Sequence, residues 1–404
     1  MLPDPAAAPL APPAPVAHQA SAPTPVARIA AVAVHLPVRT VDVREAEREL
    51  HARNPGVAPR VPMVSRLTGV HTVHVLADDE QASDLAVGAA RRLLAAEGLT
   101  PDDLDLLIFA SASQDMVEPA TCHIVAAKLG VRAPVMDVKN ACNSVLNGIE
   151  VAEALIGTGR YGRVLVVSGE APSRAVRWDV PDRATYALSA PGYTMSDAGA
   201  AVLVEAVPRA AGGPGAPGLV PPGATDLDAE LAALVGEDLG GEDRAGNPQG
   251  GAAHAPSGIL ASAFAAESQH WDVGMLPGGG TVHPRDPERT YFEIDGSRLR
   301  DAFLALGPGT VHEALDRAGM TWDDVALVAV HQVAVAYLAD VHRALGVPDD
   351  RTILTVADRG NVASATLPLQ LVTALETGRL RRGDVVMLVG LAGGISIGAM
   401  VVRW

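Results

Sequence analysis

One sequence feature restricts the possible folds more than any other: the chain repeats itself. GLTPDDLDLLIFA, starting at Gly98, resembles GMTWDDVALVAVH, starting at Gly319. KLGV at Lys128 resembles ALGV at Ala344, and IGTGRYGRVLVVSG from Ile156 resembles LETGRLRRGDVVMLVG from Leu375. The order is the same in both halves, so one unit is used twice. That unit reads helix, strand, helix, strand, helix, strand. Its strands are short apolar runs, which implies mostly parallel sheets covered by helices. Two such units predict an α/β protein, a duplicated α/β/α/β/α layered sandwich with a pseudo-twofold and equivalent loops converging between the halves.

Within the first unit, Val135 to Glu170 reads as strand, cysteine, helix, turn, strand. The apolar run reaches Cys142, a helical pattern follows from Ser144 to Ile156, and Gly157 and Gly159 break it before Val164 to Val167. A cysteine at a helix N-terminus faces unpaired N–H groups that favour a thiolate, and is a candidate nucleophile. The alternative is a small buried hydrophobe. Counting back seventeen residues from Gly159 gives Cys142, and seventeen from Gly378 gives Asn361. His331 follows its strand where Ser111 follows Leu104 to Ala110. Cys142, His331 and Asn361 are therefore expected to meet near the symmetry axis. Taken singly, His331 reads as a core histidine and Asn361 as a helix cap.

A formal charge of −16 disfavours nonspecific nucleic-acid binding. Two cysteines argue against a disulfide framework and fit a reducing, cytoplasmic setting, and no zinc-ligand spacing is present. Met1 to Ala27 holds eight prolines and no Lys or Arg, which reads as a disordered tail rather than a signal peptide. Val385 to Val402 carries no charge, but its glycines predict two buried strands joined by a turn instead of a membrane span.

The domain reading is a tail at 1–27, a first half at 28–207, a Gly/Pro-rich insertion and loop at 208–290 and a second half at 291–404. Expected strands are Arg28–Leu36, Leu104–Ala110, Ala198–Ala206, Val325–Val330 and Ile353–Val356. Expected helices are Val41–Ala52, Asp84–Glu97, Glu118–Lys128 opening at Pro119, Leu227–Val235, Arg300–Ala318, Val335–Leu345 and Ala363–Glu376.

Five motifs in this order resemble the thiolase superfamily, and within it the ketoacyl-acyl-carrier-protein synthase III branch: DVKNACNSVLNG, SDAGAAVL, HQ at His331, GNVASATLP from Gly360 and LAGGISIGAMVVRW. The resemblance covers about Ala27 to Trp404 apart from the insertion, and implies a thiolase-like fold. It implies that Cys142 takes an acyl group from a thioester. His331 and Asn361 would polarise the second thioester, and the N–H groups of Cys142 and Gly393 would form the oxyanion hole. Asn361, where some relatives that form esters carry a carboxylate, favours carbon–carbon bond formation. Acyl-coenzyme A or acyl carrier protein thioesters are the implied substrates, with no further cofactor and no metal, and a homodimer is implied.

Departures from the branch accompany these matches. Arg60, Val61, Pro62 and Met63 stand where fatty-acid members have an adenine-stacking aromatic, and Ala334 replaces a second asparagine. Ala336 and Ala344 replace cations that dock carrier protein. These point to a specialised polyketide or lipid pathway. VEPAT around Glu118 resembles the olefin-biosynthesis Claisen enzymes, where the glutamate acts as base from the partner subunit. The competing reading is an acidic first-turn residue. Met116, Val117, Leu146 and Leu391 are expected near the acyl pocket. Arg66, Arg91, Arg92, Arg298 and Arg300 are candidate phosphate or carrier contacts, with Arg66 also a substrate contact. Cys122 reads as inert. The resulting reading is a Claisen-condensing enzyme; the alternatives are an acyltransferase acting on an alcohol or amine, and a silent subunit of a heterodimeric synthase.

Overall fold

A computed structural model of the chain describes residues 26–207 and 257–404. The proline-rich stretch before Val26 and the expected helix Leu227–Val235 lie outside the described residues. The first half contains β1 (Val26–His35), β2 (Thr40–Asp42), α1 (Val43–Arg53), α2 (Val64–Thr68), β3 (Thr72–His74) and α3 (Ala82–Glu97). It continues with β4 (Leu106–Ala110), α4 (Thr121–Leu129), β5 (Val135–Val138), α5 (Ser144–Gly157), β6 (Arg163–Glu170), α6 (Arg183–Ser189) and β7 (Ala198–Val207). The second half contains β8 (Gly258–Ala266), β9 (Gly274–Met275), β10 (Glu293–Ile294), α7 (Gly296–Ala305), α8 (Gly309–Ala318) and β11 (Leu327–Val330). It ends with α9 (Val335–Leu345), α10 (Val356–Arg359), α11 (Thr366–Glu376), β12 (Val385–Ala392) and β13 (Ser396–Arg403).

Two main sheets carry the fold, ordered β1-β7-β6-β4-β5 and β11-β12-β13-β8. The sheets are mixed rather than mostly parallel. β4 runs parallel to β5 and β6, and β11 to β12, whereas β7 and β13 run antiparallel to their neighbours. The reason at β12–β13 is the short glycine turn between them, which can only return the chain antiparallel. α5 and α11 share one apolar core with inward faces of both sheets. α3 and α4 cover the outer face of the first sheet, and α7, α8 and α9 that of the second. The layers are α/β/α/β/α. Among the described residues no helix is long and apolar enough to cross a membrane.

The repeat is visible as repeated geometry. α3 and α8 both end on a left-handed glycine, Gly98 at φ 66° and Gly319 at φ 64°, a conformation that costs glycine little. Each is followed by the same capping box, Thr100 with Asp103 and Thr321 with Asp324. β4 and β11 come next.

Several boundaries differ from expectation. The second half opens at Gly258, not near 291, because β8 pairs with β13 along its length. Its sequence, GILASAFAA, has few large apolar residues to announce a strand. The span Arg300–Ala318 is two helices, since Gly307 and Pro308 interrupt it. α4 starts at Thr121 and leaves Glu118 and Pro119 outside, because the Asp137 carboxylate accepts the N–H groups of Thr121 and Cys122. The expected strand Ile353–Val356 does not form: the preceding Thr352 makes one bridge to Val328, and Val356 opens α10. There the Gln332 side chain bonds the Ile353 carbonyl and the Thr355 and Val356 N–H groups, occupying what a ladder would use.

Candidate active site

Cys142 lies in the turn between β5 and α5. The turn is closed by the Asn143 N–H on the Asn140 carbonyl (2.9 Å) and by Ser144 Oγ on the Ala141 carbonyl (2.7 Å). It holds Ala141 at φ 45°, a left-handed conformation that alanine adopts only when its surroundings impose it. The second half builds the same turn before α11. Ala365 N–H bonds the Val362 carbonyl (3.0 Å), Thr366 Oγ1 bonds the Ala363 carbonyl (2.8 Å), and Ala363 has φ 47°. This places Ser364, not Asn361, at the position matching Cys142. α5 has 14 residues and α11 has 11, so counting back from the repeated TGR slips by the difference. A similar shift applies at β4 and β11. Strand register aligns Leu106 with Leu327 through their partners Val164 and Val386, so Ala110, not Ser111, matches His331.

Contacts link His331 to the turn of Cys142. The His331 N–H bonds the Val389 carbonyl at the end of the β11–β12 ladder (2.9 Å). The next residue, Gly390, lies against the side chain of Asn143, the neighbour of Cys142: a Cβ at Gly390 would stand 1.9 Å from Asn143 Oδ1. Asn361 is 6% exposed and fixed by its backbone, its N–H on the Thr194 carbonyl and its carbonyl accepting from Ser196, both at 2.9 Å. Its Oδ1 accepts the Ala363 N–H (3.0 Å), which leaves the amide NH2 free to donate. Asn361 lines a largely apolar cavity of about 630 Å³. The walls include Leu67 and Thr68 of α2, Leu188 of α6, Arg300 of α7 and Tyr337 of α9. Val333 and Ala334, just beyond His331, also line it, whereas Cys142 and His331 themselves do not.

Burial sets the electrostatics. It pushes the Cys142 thiol up to about 12, with the carboxylate of Glu170 adding to the effect. The side chain keeps some solvent exposure but is surrounded by protein mass. The expected lowering at a helix N-terminus is thus outweighed in the free protein. Burial also holds His331 down to about 4, and its Nδ1 has no partner among the described residues. Burial thus favours the neutral form of both the thiol and the imidazole.

Glu170 was not singled out from sequence. It is fully buried at the end of β6 and accepts from Ala112 N–H (2.9 Å), Ser113 N–H (3.3 Å) and the Ser364 hydroxyl. It therefore ties the first half to the turn that carries Asn361. Glu47, equally unannounced, holds α2 at the cavity wall by accepting from Met63, Val64 and Ser65 N–H groups. Both are acids in the middle of otherwise ordinary elements, and no spacing marks them.

The remaining candidates fall in varied places. Gly393 is in the β12–β13 turn, where Ser396 Oγ contacts Asn140 Oδ1 (3.4 Å), so this turn adjoins the cysteine turn. Leu391 is buried within β12 and does not line the cavity. Leu146 is buried beneath Gly390 and Gly398. Met116 and Val117 are 49% and 67% exposed, and Glu118 beside them is exposed, not enclosed in an apolar site of its own chain. Arg66 is exposed on α2 next to the cavity-lining Leu67. Arg298 and Arg300 are paired with Asp272 and Asp340, while Arg91 and Arg92 donate to backbone carbonyls. Cys122 is buried and its thiol is pushed up to about 12 by burial and Asp137, as the Cys142 thiol is by burial and Glu170, so the two cysteines are not told apart by this shift. Among the described residues no group of three or more side chains could hold a metal ion.

Residues 136–214 match the family described as 3-oxoacyl-[acyl-carrier-protein (ACP)] synthase III, and residues 315–404 match its C-terminal part. A beta-ketoacyl-[acyl-carrier-protein] synthase III of Cereibacter sphaeroides is 30% identical over 375 residues, 92% of this chain and 96% of that one. One from Desulfitobacterium hafniense is 30% identical over 348 residues, 85% of this chain and 88% of that one. In structure, OleA of Xanthomonas campestris superposes with a TM-score of 0.74 at 21% identity, covering 95% of this chain and all (100%) of that chain. A 3-oxoacyl-[acyl-carrier-protein] synthase III of Aquifex aeolicus gives 0.70 at 22% identity, covering 94% and 100%.

Proposed function

The chain belongs to the 3-oxoacyl-[acyl-carrier-protein] synthase III family, and from that premise we propose a division of labour for its condensing reaction. Cys142 Sγ attacks the carbonyl of an acyl thioester. The Sγ–C bond forms, the donor C–S bond breaks, and the thiol proton passes to the departing sulfur. The second thioester then becomes a carbanion, by loss of CO2 from a malonyl group or of an α-proton to a base. It attacks the Cys142-bound carbonyl, a C–C bond forms, the C–Sγ bond breaks, and the released sulfur takes up a proton to return as a thiol. The oxygen of the second thioester gathers negative charge as the carbanion forms, and the two neutral donors, His331 and the Asn361 amide, stabilise it. N–H groups of Cys142 and Gly393 serve the first carbonyl.

The observation that carries this reading is the state of Asn361. Its side-chain oxygen is committed to Ala363, its NH2 is left to donate, and the residue lines the cavity. A neutral His331 fits the same task, since a neutral imidazole has one N–H to donate and no charge to remove. The cavity is apolar along most of its wall, which suits the slender pantetheine arm of coenzyme A or of acyl carrier protein. Glu118 would act from the partner of a homodimer as a base toward the second substrate. In support, it sits on an exposed loop with exposed Met116 and Val117, beside the edge strand β5.

Intact-mass spectrometry after incubation with acyl thioesters tests the assignment. The expected result is a single acyl adduct, absent in Cys142→Ser, that a malonyl thioester chase releases as a 3-oxoacyl product. An adduct that survives Cys142→Ser would overturn the role of Cys142. An adduct discharged by alcohols or amines but never by carbon nucleophiles would replace condensation by acyl transfer.

A further inference from the structure

Asn143, the residue after the nucleophile, closes the turn with its backbone, but its side-chain amide bonds to nothing among the described residues. It is 1% exposed, yet neither Nδ2 nor Oδ1 has a hydrogen-bond partner among the described residues. The other buried side chains with an unmet polar atom there leave one atom each, so Asn143 alone has both its donor and its acceptor idle. A buried amide without partners is unfavourable by about 1–3 kcal/mol. Leucine would fill a similar volume with no such penalty.

The surroundings are shaped for this side chain. Gly390 and Gly398 face each other across β12 and β13, and both lack a side chain on the side toward α5. A Cβ at Gly390 would overlap the Asn143 amide, and one at Gly398 would stand 3.0 Å from Leu146 and 2.5 Å from Phe264. The bay formed by the two glycines thus holds one polar group among apolar ones. His331, whose Nδ1 is also unpaired, is anchored on Val389 beside it. Two residues with unmet polar atoms thus meet the same stretch, Asn143 at Gly390 through its side chain and His331 at Val389 through its backbone N–H.

We propose that Asn143 reads an oxygen substituent on the acyl group carried by Cys142. The donor is then a short acyl thioester with a hydroxyl or keto group within its first few carbons, not a plain alkanoyl thioester. Consecutive Cα atoms are about 3.8 Å apart, so an acyl group on Cys142 brings only its first few carbons within reach of Asn143. The amide can donate to a keto oxygen and can both donate to and accept from a hydroxyl. A site whose buried polar group goes unpaired with the wrong substrate discriminates far more strongly than an apolar pocket does.

This inference rests on the acyl-enzyme reading of Cys142, and one experiment separates the two. Butyryl-, 3-hydroxybutyryl- and acetoacetyl-pantetheine are offered to the full chain, and the rate of the mass adduct is followed for the wild type, Cys142→Ser and Asn143→Leu. The expected wild-type result is loading of the oxygenated groups at least tenfold faster than butyryl. In Asn143→Leu the preference disappears while butyryl loads as fast or faster. Equal or faster butyryl loading by the wild type overturns the inference and leaves the role of Cys142 standing. A preference that survives in Asn143→Leu overturns it as well. Failure of all three thioesters to modify Cys142 removes both. The wild-type ratio decides the matter even where the variant does not fold.

Discussion

His331 is held uncharged by burial at the end of β11, and that has a thermodynamic consequence. Unfolded, the imidazole titrates near 6.5; folded, it stays neutral down to about 4. Between these values the unfolded chain binds the extra proton, so stability falls as pH drops from 6.5 to 4. The difference amounts to roughly 3 kcal/mol for a side chain this buried. Chemical denaturation of His331→Gln from pH 7 to pH 4 should therefore show less acid sensitivity than the wild type by about that amount. Equal slopes would mean that His331 is protonated in the folded protein. At this scale the sequence was informative where a residue changes the local pattern. Cys142 is marked by the switch from strand to helix. Ser364 and Glu170 are not, because their meaning lies in a hydroxyl from one half meeting a carboxylate from the other, and no spacing along the chain encodes that meeting.

Among the elements, α3 shows how small residues set the layer spacing. It lies so close to β6 and β7 that a Cβ at Gly169 would stand 1.8 Å from the Ala82 carbonyl oxygen, and one at Gly199 1.9 Å from that of Leu85. The obstacle is backbone, so it cannot swing aside as a side chain can. Gly199→Ala should destabilise the protein by about 3 kcal/mol by pushing α3 off the sheet, read as a lowered Tm in calorimetry. An unchanged Tm would show that α3 can lift at little cost. Helices with a clear apolar face and strands of Val, Ile and Leu were legible from composition. β8 was not, since alanine and serine carry little periodic signal. Nor was the loss of the strand at Ile353, where the side chain of Gln332, 21 residues earlier, takes the backbone groups.

At the scale of the whole molecule, the duplicated architecture was readable because glycine caps and Thr–Asp boxes recur with the apolar runs. Assembly is the part that lies beyond one chain. β5 ends the first sheet with a half-buried edge, and Met116 and Val117 stand exposed near it. Sedimentation equilibrium should give about twice the 41.5 kDa of the chain, and Val117→Asp should shift the population toward monomer. A monomeric wild type at micromolar concentration would remove Glu118 from any shared site. The two halves also differ at one set of matching places. Along β6, Ser168 and Glu170 bond Ser364. The matching places on β12, aligned by Arg163 and Val385 as strand starts, are Gly390 and Ala392, beside the turn of Cys142. One socket is a polar rivet between the halves, and the other, lined by a glycine and an alanine, leaves room beside the Cys142 turn. The pseudo-twofold is thus broken at its own axis, and a substitution that made the two sockets alike would lose either the rivet or the room.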